Sequence, residues 1–113
     1  MAASKPSGSK PAARSRWKRF VVAEDSMLPT LRPGDGIIGW RSRRVAVGQV
    51  RIFEHPQRPG FWLVKRVGRV DGHRFEAVSD NAAAPGVIDS RVLGPIDVVG
   101  SYRMVVRVPN RPD

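Results

Sequence analysis

Ser26 and Lys65 are the residues whose types and settings could do chemistry together. Ser26 lies in AEDSMLPTLRPGD, residues 23–35, where it leaves an apolar run and is followed by Met27, Pro29 and a Pro-Gly-Asp turn. A hydroxyl is a weak nucleophile until a positioned base removes its proton, and candidate bases are few. The two histidines, His55 and His73, both border turns among polar neighbours, which disfavours a Ser-His-Asp arrangement. Beyond residue 19 the chain has 13 arginines and a single lysine, and that lysine sits in the apolar run FWLVKRV, residues 61–67. Arginine in effect never gives up its proton, whereas burial lowers a lysine from about 10.4 towards about 7 to 8, where it serves as a general base. The plain alternatives are chance use of one lysine, and a serine that caps or turns the chain like most of the nine present.

Positioning these groups falls to β-strands. Gly and Pro together make 21 residues, gathered in turn-like clusters at 32–36, 55–60, 71–72 and 84–86. Between them run short segments rich in Val and Ile, which predicts strands near 19–23, 36–40, 49–54, 61–70, 73–78 and 98–108. Asp71-Gly72 reads as a tight hairpin turn. A short helical turn after Asp25 fits, with Ser26 as a possible cap. In the last strand, Tyr102, Met104, Val106 and Val108 share one face, expected to be core, and Arg103, Val105 and Arg107 the other. By the same period of two, Lys65 shares a face with Phe61, Leu63 and Val67, and Arg66 points the other way with Trp62 and Val64. The expected fold is mainly β, a single domain of short antiparallel strands over residues 20–113, preceded by a tail, 1–19.

Composition narrows the classes further. The 113 residues carry 20 Lys and Arg against 10 Asp and Glu, a formal charge of +10. The tail holds six bases and no acid, and is rich in Ser, Pro, Ala and Gly, so disorder is expected there. Its charge could touch nucleic acid or anionic lipid without specificity, or act only as a solubilising tail. Absence of cysteine excludes disulfides, a thiolate nucleophile and Cys-ligated zinc, and two histidines make a His-rich metal site improbable, so no metal or cofactor is expected. The longest apolar stretches fall far short of the ~20 residues that cross a bilayer, and no apolar run follows the basic N-terminus. The expectation is a soluble, cytoplasmic protein with no transmembrane anchor.

These motifs, taken in order, resemble those of type I signal peptidases and their soluble relatives, the Ser/Lys proteases. SMLPTL with Gly34-Asp35 resembles the nucleophile box. VGQVRIF, residues 47–53, resembles the Gly-Asp-Val-Val strand box with Gln49 in place of Asp. VKRV, residues 64–67, resembles the general-base box, and SDN at 79–81 with DSR at 89–91 the final one. The resemblance covers the chain from about residue 20. It implies a signal-peptidase-like fold of coiled antiparallel strands. It also implies that Ser26 attacks the scissile carbonyl, that neutral Lys65 takes its proton and passes it to the leaving amine, and that the resulting acyl-enzyme is hydrolysed. Substrates of the family bind as an extended strand with small side chains just before the cut. Asp80, Asp89 and Arg91 are then an ion-pair and hydrogen-bond scaffold. Among the short soluble members, the chain is most similar to the maturation proteases of nickel-type superoxide dismutase, which remove a short leader from a precursor protein.

The chain departs from the family pattern at two positions. Glu24 stands where a Ser or Thr hydroxyl usually assists the oxyanion hole, so Glu24 is expected to turn away and the backbone N–H of Ser26 to be the main donor. Val87 replaces the serine that usually bonds the lysine, which leaves Lys65 to be held by Ser90 or by packing alone. Two other readings compete: an inactive family member, motivated by those two positions, and a binding module, related to self-cleaving repressor domains, whose tail touches nucleic acid or lipid. No helix-turn-helix pattern supports specific nucleic-acid recognition.

Overall fold

A computed structural model describes residues 2–3, 15–81, 83 and 93–110. The strands are β1 (Ala2–Ala3), β2 (Trp17–Val21), β3 (Gly36–Arg41), β4 (Val50–Glu54), β5 (Trp62–Asp71), β6 (Arg74–Val78), β7 (Ile96–Asp97) and β8 (Tyr102–Val108). They form one antiparallel sheet in the order β1-β2-β3-β8-β4-β5-β6-β7, so the chain is mainly β. The expected strands are present, with shifted ends. β2 starts at Trp17, inside the stretch assigned to the tail, because Trp17 pairs with Trp40 and the two rings meet edge to face at 4.6 Å. The expected tail residues 1 and 4–14 lie outside the described residues.

The sheet coils so that both of its faces carry core. One cluster gathers Phe20, Val22, Met27, Leu31, Ile37, Val50, Ile52, Val64 and Tyr102. The other gathers Phe53, Leu63, Val67, Phe75, Ala77, Ile96 and Val98, with Phe61 packed against it. β5 serves both, Val64 entering one cluster while Leu63 and Val67 enter the other. Its alternation therefore separates two cores rather than core from solvent.

β8 corrects the expected pattern. Tyr102 is buried and Met104 half-buried, but Val106 and Val108 are 43% and 53% exposed. β4 pairs with β8 only through Arg51–Arg103 and Ile52–Tyr102, so the far half of β8 has β3 on one side and runs beyond the core.

The β5–β6 hairpin turns on Gly72-His73, closed by the pair Asp71 and Arg74. Gly72 has φ of 62° and, among the described residues, no non-glycine residue has positive φ, the sign pattern of a type II′ turn. Farther along the hairpin, Val70 faces Phe75 but Val67 faces Ala77. β5 thus spends one extra residue at Gly68-Arg69, a β-bulge. Arg69 N–H donates to Glu76 Oε1 at 3.2 Å there, bracing the bulge. Among the described residues no helix is long and apolar enough to cross a membrane.

Candidate active site

Ser26 sits on a loop closed at its base and anchored from within. Val22 N–H donates to Asp35 O at 2.9 Å and Gly34 N–H to Val22 O at 2.7 Å, which closes residues 22–35. Met27 and Leu31, both fully buried, root the loop in the core. Leu31 N–H donates to Met27 O at 2.9 Å, giving the single helical turn expected after Asp25. Asp35, 1% exposed, accepts from Arg32 N–H, Asn110 N–H and the Arg107 guanidinium, at 2.9, 3.0 and 3.1 Å. Burial pushes its carboxyl up, and these donors outweigh that and hold it below the usual carboxylate range.

Lys65 is 2% exposed in the middle of β5. Its strand neighbours at period two, Leu63 and Val67, belong to one apolar cluster, as the alternation predicts. Its Nζ donates to the Ser79 hydroxyl at 2.9 Å, and Ser79 is one of its partners. Ser79 is itself 5% exposed and continues the inward alternation of Phe75 and Ala77. Ser90 or packing alone was expected to hold the lysine; its described hydroxyl partner is Ser79, eleven positions earlier in the chain. Asp89, Ser90, Arg91 and Val87 lie outside the described residues.

Three consecutive residues tie the two candidate groups together. Ser79 binds Lys65. Asp80 accepts both a fork from Arg66, Nε to Oδ1 and Nη2 to Oδ2 at 2.8 Å each, and the Thr30 hydroxyl at 2.6 Å. Asn81 N–H donates to Ser26 O at 2.8 Å, and its side-chain amide to Asp25 O at 3.2 Å. The segment therefore fastens the strand of the lysine to the loop of the serine. Asp80 was expected in an ion-pair scaffold with Asp89 and Arg91, and its described partner is Arg66. The Arg66 fork holds the Asp80 carboxyl below its usual range, against burial and with help from Thr30, and Asp80 raises Arg66 in return. Arg66 also donates to Gly48 O at 2.8 Å.

Beside Ser26 runs a small groove walled by Val22, Ala23, Glu24 and Ser26 on one side and Phe61, Trp62, Leu63 and Val64 on the other. It encloses about 20 Å³, enough for one group the size of a water or a methyl. β4 pairs with Trp62–Lys65 along one edge, whereas β6 pairing begins only at Arg66. Glu24 is exposed yet forms part of the groove wall, so it stays beside the site.

The histidines stand apart from this arrangement. His55 Nδ1 accepts from Gln57 N–H at 3.0 Å and its ring lies 5.9 Å from that of Phe61, while His73 is an exposed turn residue. No described hydrogen bond joins either to Ser26. Among the described residues no group of three or more His, Asp or Glu is disposed to hold a metal ion.

Sequence reasoning quoted Ser79, Asn81, Thr30 and Arg66 within its motifs but gave none of them a role at the site. The period-two pattern of 75, 77 and 79 was a usable signal for Ser79 alone. The chain matches no protein-family model, and no curated protein is significantly similar to it.

Proposed function

We propose that the protein is a serine endopeptidase with a Ser26/Lys65 dyad that trims an N-terminal leader from a precursor protein. The observation that carries this reading is the attachment of both residues to one tripeptide: Lys65 through Ser79, and the Ser26 loop through Asn81. Burial disfavours a charged ammonium, which suits a lysine that must accept a proton. In this mechanism Ser26 Oγ attacks the scissile carbonyl carbon while its proton passes to Nζ of neutral Lys65. The oxyanion of the tetrahedral intermediate is met by the Ser26 backbone N–H. Collapse breaks the C–N bond as Lys65 returns the proton to the leaving amine. Water, deprotonated by Lys65, then hydrolyses the acyl-enzyme.

The substrate lies extended in the groove, adding a strand to the uncovered edge of residues 62–65. The enclosed volume of about 20 Å³ favours a residue as small as alanine before the cut. A nickel-type superoxide dismutase precursor is the specific substrate that the sequence resemblance suggests.

The test is trimming of that precursor, co-produced with wild type, Ser26→Ala or Lys65→Ala and followed by intact mass. Wild type should release the leader, and both variants should leave the precursor whole. Trimming by either variant at the wild-type rate refutes the dyad. An untrimmed precursor beside wild-type protein that acylates Ser26 with a small activated ester rejects only the substrate.

A further inference from the structure

A second concave feature has no part in the proposed dyad. It is a cavity of about 340 Å³ lined by Arg16, Arg41, Ser42, Arg43, Val99 and Gly100. Arg16 and Arg41 meet at the ends of β2 and β3 remote from the Ser26 loop, Arg41 N–H donating to Arg16 O at 2.8 Å. Among the described residues the lining has three guanidiniums and no carboxylate. The neighbouring hollows differ in this respect: one sets Arg74 against Glu54 and Asp97, another sets Arg69 and Arg74 against Asp71 and Glu76. Neither described ion pair, Arg66–Asp80 or Arg107–Asp35, neutralises the three arginines.

A fourth guanidinium underlies the same place. Arg51, fully buried, donates to Ser42 O, to Arg44 O at 2.9 Å and to the Ser101 hydroxyl at 2.9 Å. It thereby fixes both the 42–44 segment and the 98–101 turn that form the walls. Burial first, and the charge of Arg103 second, lower Arg51 to about 10. An anion held over this point would lie close to four guanidiniums, those of Arg16, Arg41, Arg43 and the underlying Arg51.

We propose that Arg16, Arg41 and Arg43, set around the cavity above Arg51, bind a small, multiply charged phosphate ligand. A carboxylate carries one charge and two coplanar oxygens, which a single guanidinium fork satisfies. Three guanidiniums around one hollow match an anion with several charges and acceptors facing several directions, as a phosphate presents. The concavity and size, at the lower end of small-molecule sites, suit a compact soluble phosphate rather than a flat membrane.

The experiment titrates the full chain with sodium tripolyphosphate at constant ionic strength. Binding is read by calorimetry and by tryptophan fluorescence, since the Arg16 guanidinium lies 5.6 Å from the Trp40 ring centroid. Wild type should bind saturably at one site. Arg41→Ala/Arg43→Ala, two exposed positions whose loss leaves the core intact, should weaken binding at least tenfold. Arg32→Ala/Arg69→Ala removes the same net charge from other exposed positions and should leave the affinity within twofold. No saturable binding, or equal loss in both double variants, overturns the proposal. So does a preference for an oligothymidylate or for phosphatidylserine vesicles that Arg41→Ala/Arg43→Ala does not weaken, which assigns the charge to a polymer or a membrane.

Discussion

Ser79→Ala is the substitution that most directly probes the candidate site. The change removes one hydroxyl from a residue 5% exposed and takes from Lys65 Nζ a hydrogen bond of 2.9 Å. The stability cost is about 1 to 3 kcal/mol, the range for leaving a buried polar group short of a partner. A domain of this size is stable by about 5 to 15 kcal/mol, so the variant should fold. Its effect on the reaction comes from orientation. Released from one of its partners, the Lys65 side chain regains part of its rotamer freedom, up to about 2 kcal/mol, which must be lost again to reach Ser26. At about 1.4 kcal/mol per factor of ten, acylation of Ser26 should slow roughly 10- to 30-fold. The assay is burst release of nitrophenolate from acetyl-Ala-Gly-Ala p-nitrophenyl ester, with the acyl group located on Ser26 by mass and the unfolding midpoint measured in parallel. Ser79→Thr keeps the hydroxyl and should recover most of the rate. An acylation rate for Ser79→Ala within twofold of wild type, with the unfolding midpoint lowered, would show that Ser79 is a packing residue with no hold on the base.

Three stability predictions follow from other parts of the fold. Asp35 and Asp80 both have carboxyls held below the usual range, so their contribution is fully present above the unfolded value near pH 4 and is lost as pH falls through their lower folded values; chemical unfolding midpoints should drop across that acid window, and drop less in Asp35→Asn and Asp80→Asn. Arg51→Ala empties the space of a fully buried side chain and removes the donor that ties Ser42 O, Arg44 O and the Ser101 hydroxyl together, so denaturant titration should show a loss of several kcal/mol, far beyond that of the exposed Arg103→Ala. Gly39→Ala places a Cβ 2.9 Å from Tyr102 Cβ and 3.4 Å from Ile52 Cδ1, a collision in packed core that should cost about 1 to 3 kcal/mol by the same measurement.

Much of this fold was legible because two signals agreed. Val- and Ile-rich runs set off by Gly and Pro located the strands, and a lone lysine among arginines marked Lys65. Where a single signal was used, the reading slipped. Composition assigned residues 17–19 to a polar tail, yet Trp17 has a cross-strand partner in Trp40 that composition cannot see. Alternation put Val106 and Val108 on the face of Tyr102, but side says nothing of depth, and β4 covers only the beginning of that strand. Asp80 stood out as a scaffold residue, but its partner Arg66 is a neighbour of Lys65 in sequence and joins it only through hairpin register.

That register explains why Ser79, and not Asp80, stands against Lys65 on β6. Near the turn, Asp71 faces Arg74 and Val70 faces Phe75. Continued without interruption, that ladder would set Asp80 opposite Lys65, on the same face. A buried carboxylate there would hold the ammonium form, the wrong state for a general base. The extra residue at Gly68-Arg69 moves the pairing by one position, to Val67 with Ala77 and Arg66 with Val78. Lys65 then meets Ser79, and Asp80 passes to the face of Arg66, where a permanently charged guanidinium takes it up. Glycine is suited to the bulge, since a Cβ at Gly68 would come within 2.6 Å of Glu76 Oε1 and 3.0 Å of Val78 Cγ2. One inserted position in β5 thus separates Asp80 from the lysine, and in the proposed mechanism it keeps that carboxylate from holding Lys65 in the ammonium form.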